Sequence, residues 1–163
     1  MLLFSPLTGQ CRDTILTWPP YEGRRAELDY VIRNGKNSWL SKYYQNDKAD
    51  CRGVWRNGNL IGLVILHFEK NAPEPEINIA VHPTWAGKGT GTMVLKEALK
   101  LYFGRYPEIS NIRLVVRKSN VIAKHVYDKI GFIADKEFEA VVNEKPTQFY
   151  GMFITRDTVQ QWD

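Results

Sequence analysis

A chain of 163 residues is long enough to bury its own core, and its length favours one domain, so residues 1–163 are read as a single unit. With 44% apolar, 25% charged and 12% aromatic residues, it is composed like a folded globular protein, which excludes a disordered or fibrous chain. The net charge of +4 is spread along the chain, which argues against a nucleic-acid arm and suits a small polyanionic ligand.

Two cysteines, Cys11 and Cys51, cannot build a disulfide framework, and no Cys-x-x-Cys pair offers a zinc site. They read as reduced thiols of a cytoplasmic protein. The stretch Met1 to Pro6 is too short and uncharged for a signal peptide. The longest apolar run, Leu60 to Leu66, is interrupted by Gly62 and too short to span a bilayer, so no membrane association is expected.

In chain order, Leu2 to Leu7 reads as a short strand. Thr8 caps a helix running to about Thr17, and Pro19-Pro20 stops it. Arg24 to Tyr44 reads as helical, with a break admitted at Asn34-Gly35. Its apolar stripe is Leu28, Val31 and Ile32, followed by Trp39, Leu40, Tyr43 and Tyr44. Cys51 to Arg56 and Leu60 to Glu69 are strands of a hairpin, because Asn57-Gly58 tolerates the positive φ of a tight turn. A loop, Asn71 to Pro75, precedes a central strand from Glu76 to His82, which Pro83 ends. Gly87 to Gly91 is a glycine loop. The helix after it runs from about Thr90 to Phe103 with Val94, Leu95, Ala98, Leu99 and Tyr102 on one face. Ile112 to Arg117 is a strand. Asn120 starts a helix that Gly131 ends, and Phe132 to Ala140 and Gln148 to Thr155 are strands joined through Asn143 to Pro146. The sum is a mixed α/β domain.

The glycine loop carries the chemistry. Gly87, Gly89 and Gly91 at alternate positions, between an apolar strand and an amphipathic helix, let backbone N–H groups converge at a helix N-terminus. That is a phosphate or pyrophosphate site. A Walker A loop fails for want of Gly-Lys-Ser/Thr. A dinucleotide fingerprint fails on spacing, since Thr92 or Val94 falls where its third glycine belongs.

The segment Ala86-Gly87-Lys88-Gly89-Thr90-Gly91 resembles the acyl-CoA signature of the GNAT superfamily of N-acetyltransferases, Gln/Arg-x-x-Gly-x-Gly/Ala, with Ala86 in the place of Gln or Arg. About 30 residues on, across one helix and one strand, Asn120, Ala123, Tyr127 and Gly131-Phe132 are similar to the family's other cofactor segment. The resemblance covers Arg52 to Thr155 and leaves Trp18 to Asp50 unmatched. It implies a mostly antiparallel central sheet flanked by helices and direct transfer of an acetyl group from acetyl-CoA to a primary amine of a protein, peptide or small molecule.

The resemblance also implies roles. Acetyl-CoA would lie against Gly87, Lys88, Gly89, Thr90, Gly91 and Thr92, with Ala80 or Val81 offering a backbone N–H to the thioester carbonyl and Asn120, Ala123 and Lys124 on its other side. Tyr127 would protonate the leaving thiolate, and Glu76, on the same strand face as Asn78, would take the amine's proton directly or through water. Glu74 is the neighbouring option for the base. Lys124, Arg117 and Lys118 would meet the adenosine phosphate. His82 reads as structural, and His67 and His125 have no ligand-like partner by spacing, so no metal is expected. Trp18, Tyr21, Trp39, Tyr43, Tyr44, Phe149 and Tyr150 divide between core packing and the walls of an acceptor cleft. Two other readings stay open: a non-catalytic module holding CoA or a protein partner, and a modifier of RNA or nucleotide amines, which the diffuse charge disfavours. A homodimer is left open.

Overall fold

A computed structural model describes residues 1–162. Its strands are β1 (Leu3–Pro6), β2 (Ala49–Arg56), β3 (Asn59–His67), β4 (Glu76–Val81), β5 (Asn111–Arg117), β6 (Ile133–Val142) and β7 (Lys145–Thr155). Its helices are α1 (Gly9–Leu16), α2 (Trp39–Tyr43), α3 (Thr90–Arg105), α4 (Val121–Ile130) and α5 (Arg156–Gln160). The strand order is β1-β2-β3-β4-β5-β7-β6, and every pairing with a recorded register is antiparallel except β4 with β5. By backbone contacts the described residues form two compact units: Met1–His67 with Asn78–Glu97, and Phe68–Ile77 with residues 98–162.

In the first unit, the β2–β3 hairpin turns on Asn57 and Gly58, at φ 51° and 79°, the left-handed values of a two-residue hairpin turn. A bulge at Val54/Trp55 offsets the ladder by one residue. Ile61 and the run Leu63 to Leu66 are 0% exposed, so both faces of β3 are covered. Its core joins Cys11 and Ile15 of α1 with Ile32, Leu40 and Tyr43, and with Leu60, Leu63 and Ile65 of β3.

The expected helix from Arg24 to Tyr44 is not one helix. It is a 3-10 turn at Gly23–Arg25, a π-helical turn at Tyr30–Asn34, and α2, with Ser38 capping α2 through Ser41 N–H. The reason is tertiary. Arg33 is buried, and its guanidinium donates to the carbonyls of Ile15 (2.9 Å), Trp18 (2.8 Å) and Pro19 (2.9 Å) while pairing with Asp29. Satisfying that charge fixes the backbone against a continuous helix. Gly35 seals the break, since a Cβ there would lie 2.6 Å from the Tyr30 carbonyl oxygen.

In the second unit, β7 lies between β5 and β6 in an antiparallel ladder. The loop expected at Asn143 to Pro146 shrinks to a two-residue turn at Asn143 and Glu144, φ 49° and 64°, and Pro146 joins β7 opposite Val141. Pro146 is tolerated close to the hairpin end, where few ladder bonds are lost. The sequence reading missed α5. Arg156 at its start donates to the carbonyls of Phe103, Tyr106 and Ile109, which closes the chain after α3. The expected α3 stripe, Val94, Leu95, Ala98, Leu99 and Tyr102, is buried throughout.

Candidate active site

The glycine loop belongs to the first unit. At the end of β4, His82 N–H donates to the Ile61 carbonyl (2.8 Å), and the N–H groups of Trp85 and Ala86 fold back onto the His82 carbonyl. Gly87 and Gly89 then take φ of 80° and 78°. A side chain is strained at both, whereas Gly91 has no such φ. Gly87, Lys88 and Gly89 are exposed at the surface. The first bond into α3 is Met93 N–H to the Gly89 carbonyl, at 3.2 Å. The N–H groups of Thr90, Gly91 and Thr92 precede it, at the start of a 16-residue helix. A surface left-handed loop feeding a long helix fits an anion of phosphate type.

The end of β4 is fixed from the N-terminal segment. Tyr21, buried at 4% exposure, donates its hydroxyl to the Val81 carbonyl at 2.5 Å, and its N–H donates to Asp29 at 3.0 Å. Burial pushes the Tyr21 phenol well above its usual range, so it stays a donor at physiological pH. Ala80 and Val81 are buried. His82 packs its ring 5.2 Å from Trp18, and its Nδ1 accepts the Thr84 N–H. Burial, and after it the charge of Arg33, hold its pKa below the usual histidine value. His82 is therefore a neutral imidazole bracing the turn.

The sequence reading missed Arg25. Its guanidinium, arriving from the 3-10 turn, lies over Gly87, where an added Cβ would sit 2.7 Å from Nη2. No periodicity marks that contact. The one available signal was a paired Arg24-Arg25 outside any apolar stripe.

In the second unit, Asn120 caps α4, its Oδ1 accepting the Ala123 N–H at 3.1 Å. Gly131, at φ 121°, ends α4 with its N–H on the carbonyls of Tyr127 and Asp128. Tyr127 is half-buried, with its ring 5.9 Å from Phe132. Burial raises its phenol pKa, and among the described residues its hydroxyl has no hydrogen-bond partner. Glu76 opens β4, half-buried, with its backbone in register with Arg113. Glu74 is drawn into an ion cluster, since Arg113 bridges it (3.3 Å) to Asp135 (2.5 Å). Lys124 pairs with Asp128 one turn on (2.8 Å), and Lys118 pairs with Glu137. Both ammonium groups lie 5.3 Å from the centre of the Tyr150 ring. These exposed pairs are weak and exchangeable.

Most of the aromatics divide toward packing. Trp18, Tyr21 and Tyr43 are core, Phe149 stacks on Phe138, and Tyr44 lies under the Arg12 guanidinium. Trp39 is half-buried against the same core.

Residues 13–132 match the model of the acetyltransferase (GNAT) family. The chain belongs to the GNAT family. The match spans the glycine loop and the Asn120–Phe132 segment and stops before β6. GNAT members are acetyl-CoA-dependent N-acetyltransferases, and solved GNAT structures share this fold along nearly the whole chain. A chimera of the spermidine N-acetyltransferase from Vibrio cholerae with hSSAT is 22% identical over 99% of both chains, at a TM-score of 0.79. The Vibrio cholerae spermidine N-acetyltransferase in complex with CoA and spermine is 20% identical over 98% of both, at 0.73. The ribosomal-protein-S18-alanine N-acetyltransferase from Escherichia coli is 18% identical over 95% and 94%, at 0.68. No curated protein matches the chain by sequence.

Proposed function

We propose that this protein moves an acetyl group from acetyl-CoA to a primary amine of a protein, peptide or small molecule, by direct attack. The observation that carries the reading is the glycine loop: two left-handed glycines at the surface, leading into the first turn of α3 within a chain of the GNAT family. Lys88, Gly89, Thr90, Gly91 and Thr92 would hold the pyrophosphate through backbone N–H groups, with Gly87 making the turn.

Acetyl-CoA supplies the activated thioester. The amine nitrogen bonds to the acetyl carbon, the carbon–sulfur bond breaks, and two protons are managed. The neutral Tyr127 phenol, without an acceptor among the described residues, donates one to the departing sulfur. Glu76, directly or through water, takes the other from the ammonium formed on attack. A backbone N–H at Ala80 or Val81 steadies the charge that builds on the acetyl oxygen. Asn120 and Ala123, beyond their capping bond, and Lys124, once released from Asp128, are the further contacts of this reading.

Peptide amines are favoured slightly over small molecules, and the solved relatives whose names mention spermidine and a ribosomal-protein alanine span both classes. The test is calorimetry with acetyl-CoA on the wild type and on Gly89→Glu, which sets bulk and negative charge at the pyrophosphate. Binding should vanish in the variant while its unfolding profile survives, and unchanged affinity refutes the placement. Thiol release with peptides, polyamines, aminoglycosides and RNA then sorts the acceptor. A response to RNA alone overturns the assignment to a protein, peptide or small-molecule amine.

A further inference from the structure

We propose that Arg25 is the side-chain cation of the cofactor site, gripping the pyrophosphate of acetyl-CoA from a segment far from the glycine loop in sequence. The inference rests on the reading of that loop as the acyl-CoA site and adds a residue that reading does not contain.

Four observations carry it. The Arg25 guanidinium lies on the loop: an added Cβ at Gly87 would be 2.7 Å from Nη2, 3.4 Å from Cζ and 3.6 Å from Nη1. Gly87 is needed for its φ of 80°, and with no Cβ there the guanidinium lies directly against the loop backbone. Second, among the described residues the Arg25 guanidinium makes no hydrogen bond or ion pair, although it is half-buried. Arg33, on the same segment, has its guanidinium nitrogens bonded to Asp29 and three carbonyls. The Arg25 nitrogens are not among the buried unpartnered atoms of the described residues, so these donors face solvent and are open to an incoming acceptor. Third, the loop's own charged side chain is Lys88, and position 86, which the family pattern gives to Gln or Arg, holds a short apolar Ala86. Arg25 brings a planar set of donors to the position next to it. Fourth, the segment that carries Arg25 is tied to the strand end below the loop by the Tyr21 hydroxyl on the Val81 carbonyl and by Asp29 on the Tyr21 N–H. The backbone that carries Arg25 is thus anchored beside the loop before the ligand binds, which lowers the ordering cost of the contact.

The chemistry selects the ligand group. A guanidinium presents parallel N–H donors that match two oxygens of a phosphate, and it stays charged at all working pH values. Beside a helix N-terminus it adds a full charge to the partial charge of the first-turn N–H groups. Arg25 is a binding and positioning residue and takes no part in proton transfer.

The experiment is a binding series. Wild type, Arg25→Gln, Arg25→Lys and Arg25→Gln with Ala86→Arg are titrated with acetyl-CoA, and by competition with S-acetylpantetheine, which has the thioester without the phosphates. Arg25→Gln should weaken acetyl-CoA by roughly 10- to 100-fold, the worth of a charge-assisted hydrogen bond, and leave S-acetylpantetheine unaffected. Arg25→Lys should fall between, since it keeps the charge and loses the fork. Ala86→Arg should recover part of the loss in the Gln background. Wild-type affinity in Arg25→Gln, beside a Gly89→Glu that no longer binds, overturns the Arg25 assignment and leaves the acetyl-CoA site standing. An equal loss for both donors, or a lowered melting temperature in Arg25→Gln, overturns it too, because Arg25 would then act on the fold. A wild type that fails to bind acetyl-CoA removes the site and the Arg25 assignment together.

Discussion

Tyr21→Phe isolates the bond that holds the end of β4. The ring stays in the core, so its packing and its place 5.7 Å from the Arg33 guanidinium are kept, and only the hydroxyl is removed. The Val81 carbonyl then loses the donor that reached it at 2.5 Å inside a buried site. Stranding a buried acceptor costs about 1–3 kcal/mol. For a chain of this length each kcal/mol moves the melting temperature by about 3 °C, so a fall of roughly 3–9 °C is expected. Urea unfolding should show a lower midpoint at an unchanged slope, the mark of lost stability with no change in the surface exposed. Tyr30→Phe, at a ring that is 38% exposed, is the control and should change little. The pH dependence adds a second signature. Burial raises the Tyr21 phenol above its unfolded value near 10, so the folded state holds its proton longer and stability falls as the pH climbs past that value. Tyr21→Phe should lack this part of the alkaline loss. A melting temperature equal to wild type would show that water replaces the bond without cost, and the account of the strand end would be wrong.

Tyr127→Phe should lower turnover by ~10²-fold or more while acetyl-CoA binds nearly as before, because in the proposed mechanism the hydroxyl is used only as the sulfur leaves. Wild-type kcat would reduce Tyr127 to packing. His82→Asn should flatten the loss of stability between about pH 7 and 5. Burial and Arg33 lower the His82 pKa, so in that window the unfolded chain binds the extra proton and wild-type stability falls with pH. Melting curves at both ends of the window decide it, and parallel losses in the two proteins would refute the assignment to His82.

Sequence and tertiary structure divided the work along a physical line. The Asn57-Gly58 hairpin, the glycine loop between β4 and α3, the buried stripe of α3 and the Asn120-to-Gly131 helix were all legible, because each is written within a few residues, whereas the left-handed φ of Gly87 and Gly89 but not Gly91 came only with the structure. Positive φ, a cap three residues from its N–H and a period of 3.6 are local properties. The segment from Arg24 to Tyr44 had a helical pattern and formed something else, because its shape is set by Arg33 reaching the carbonyls of Ile15, Trp18 and Pro19. The capture of Glu74 by Arg113, the pairing of Lys124 with Asp128 and the approach of Arg25 to Gly87 depend on which side chains meet once the chain has folded. A meeting between distant residues leaves no period in the sequence. The glycine loop could be read from residue spacing, and the Arg25 cation that lies on it appeared only when the N-terminal segment was folded against it.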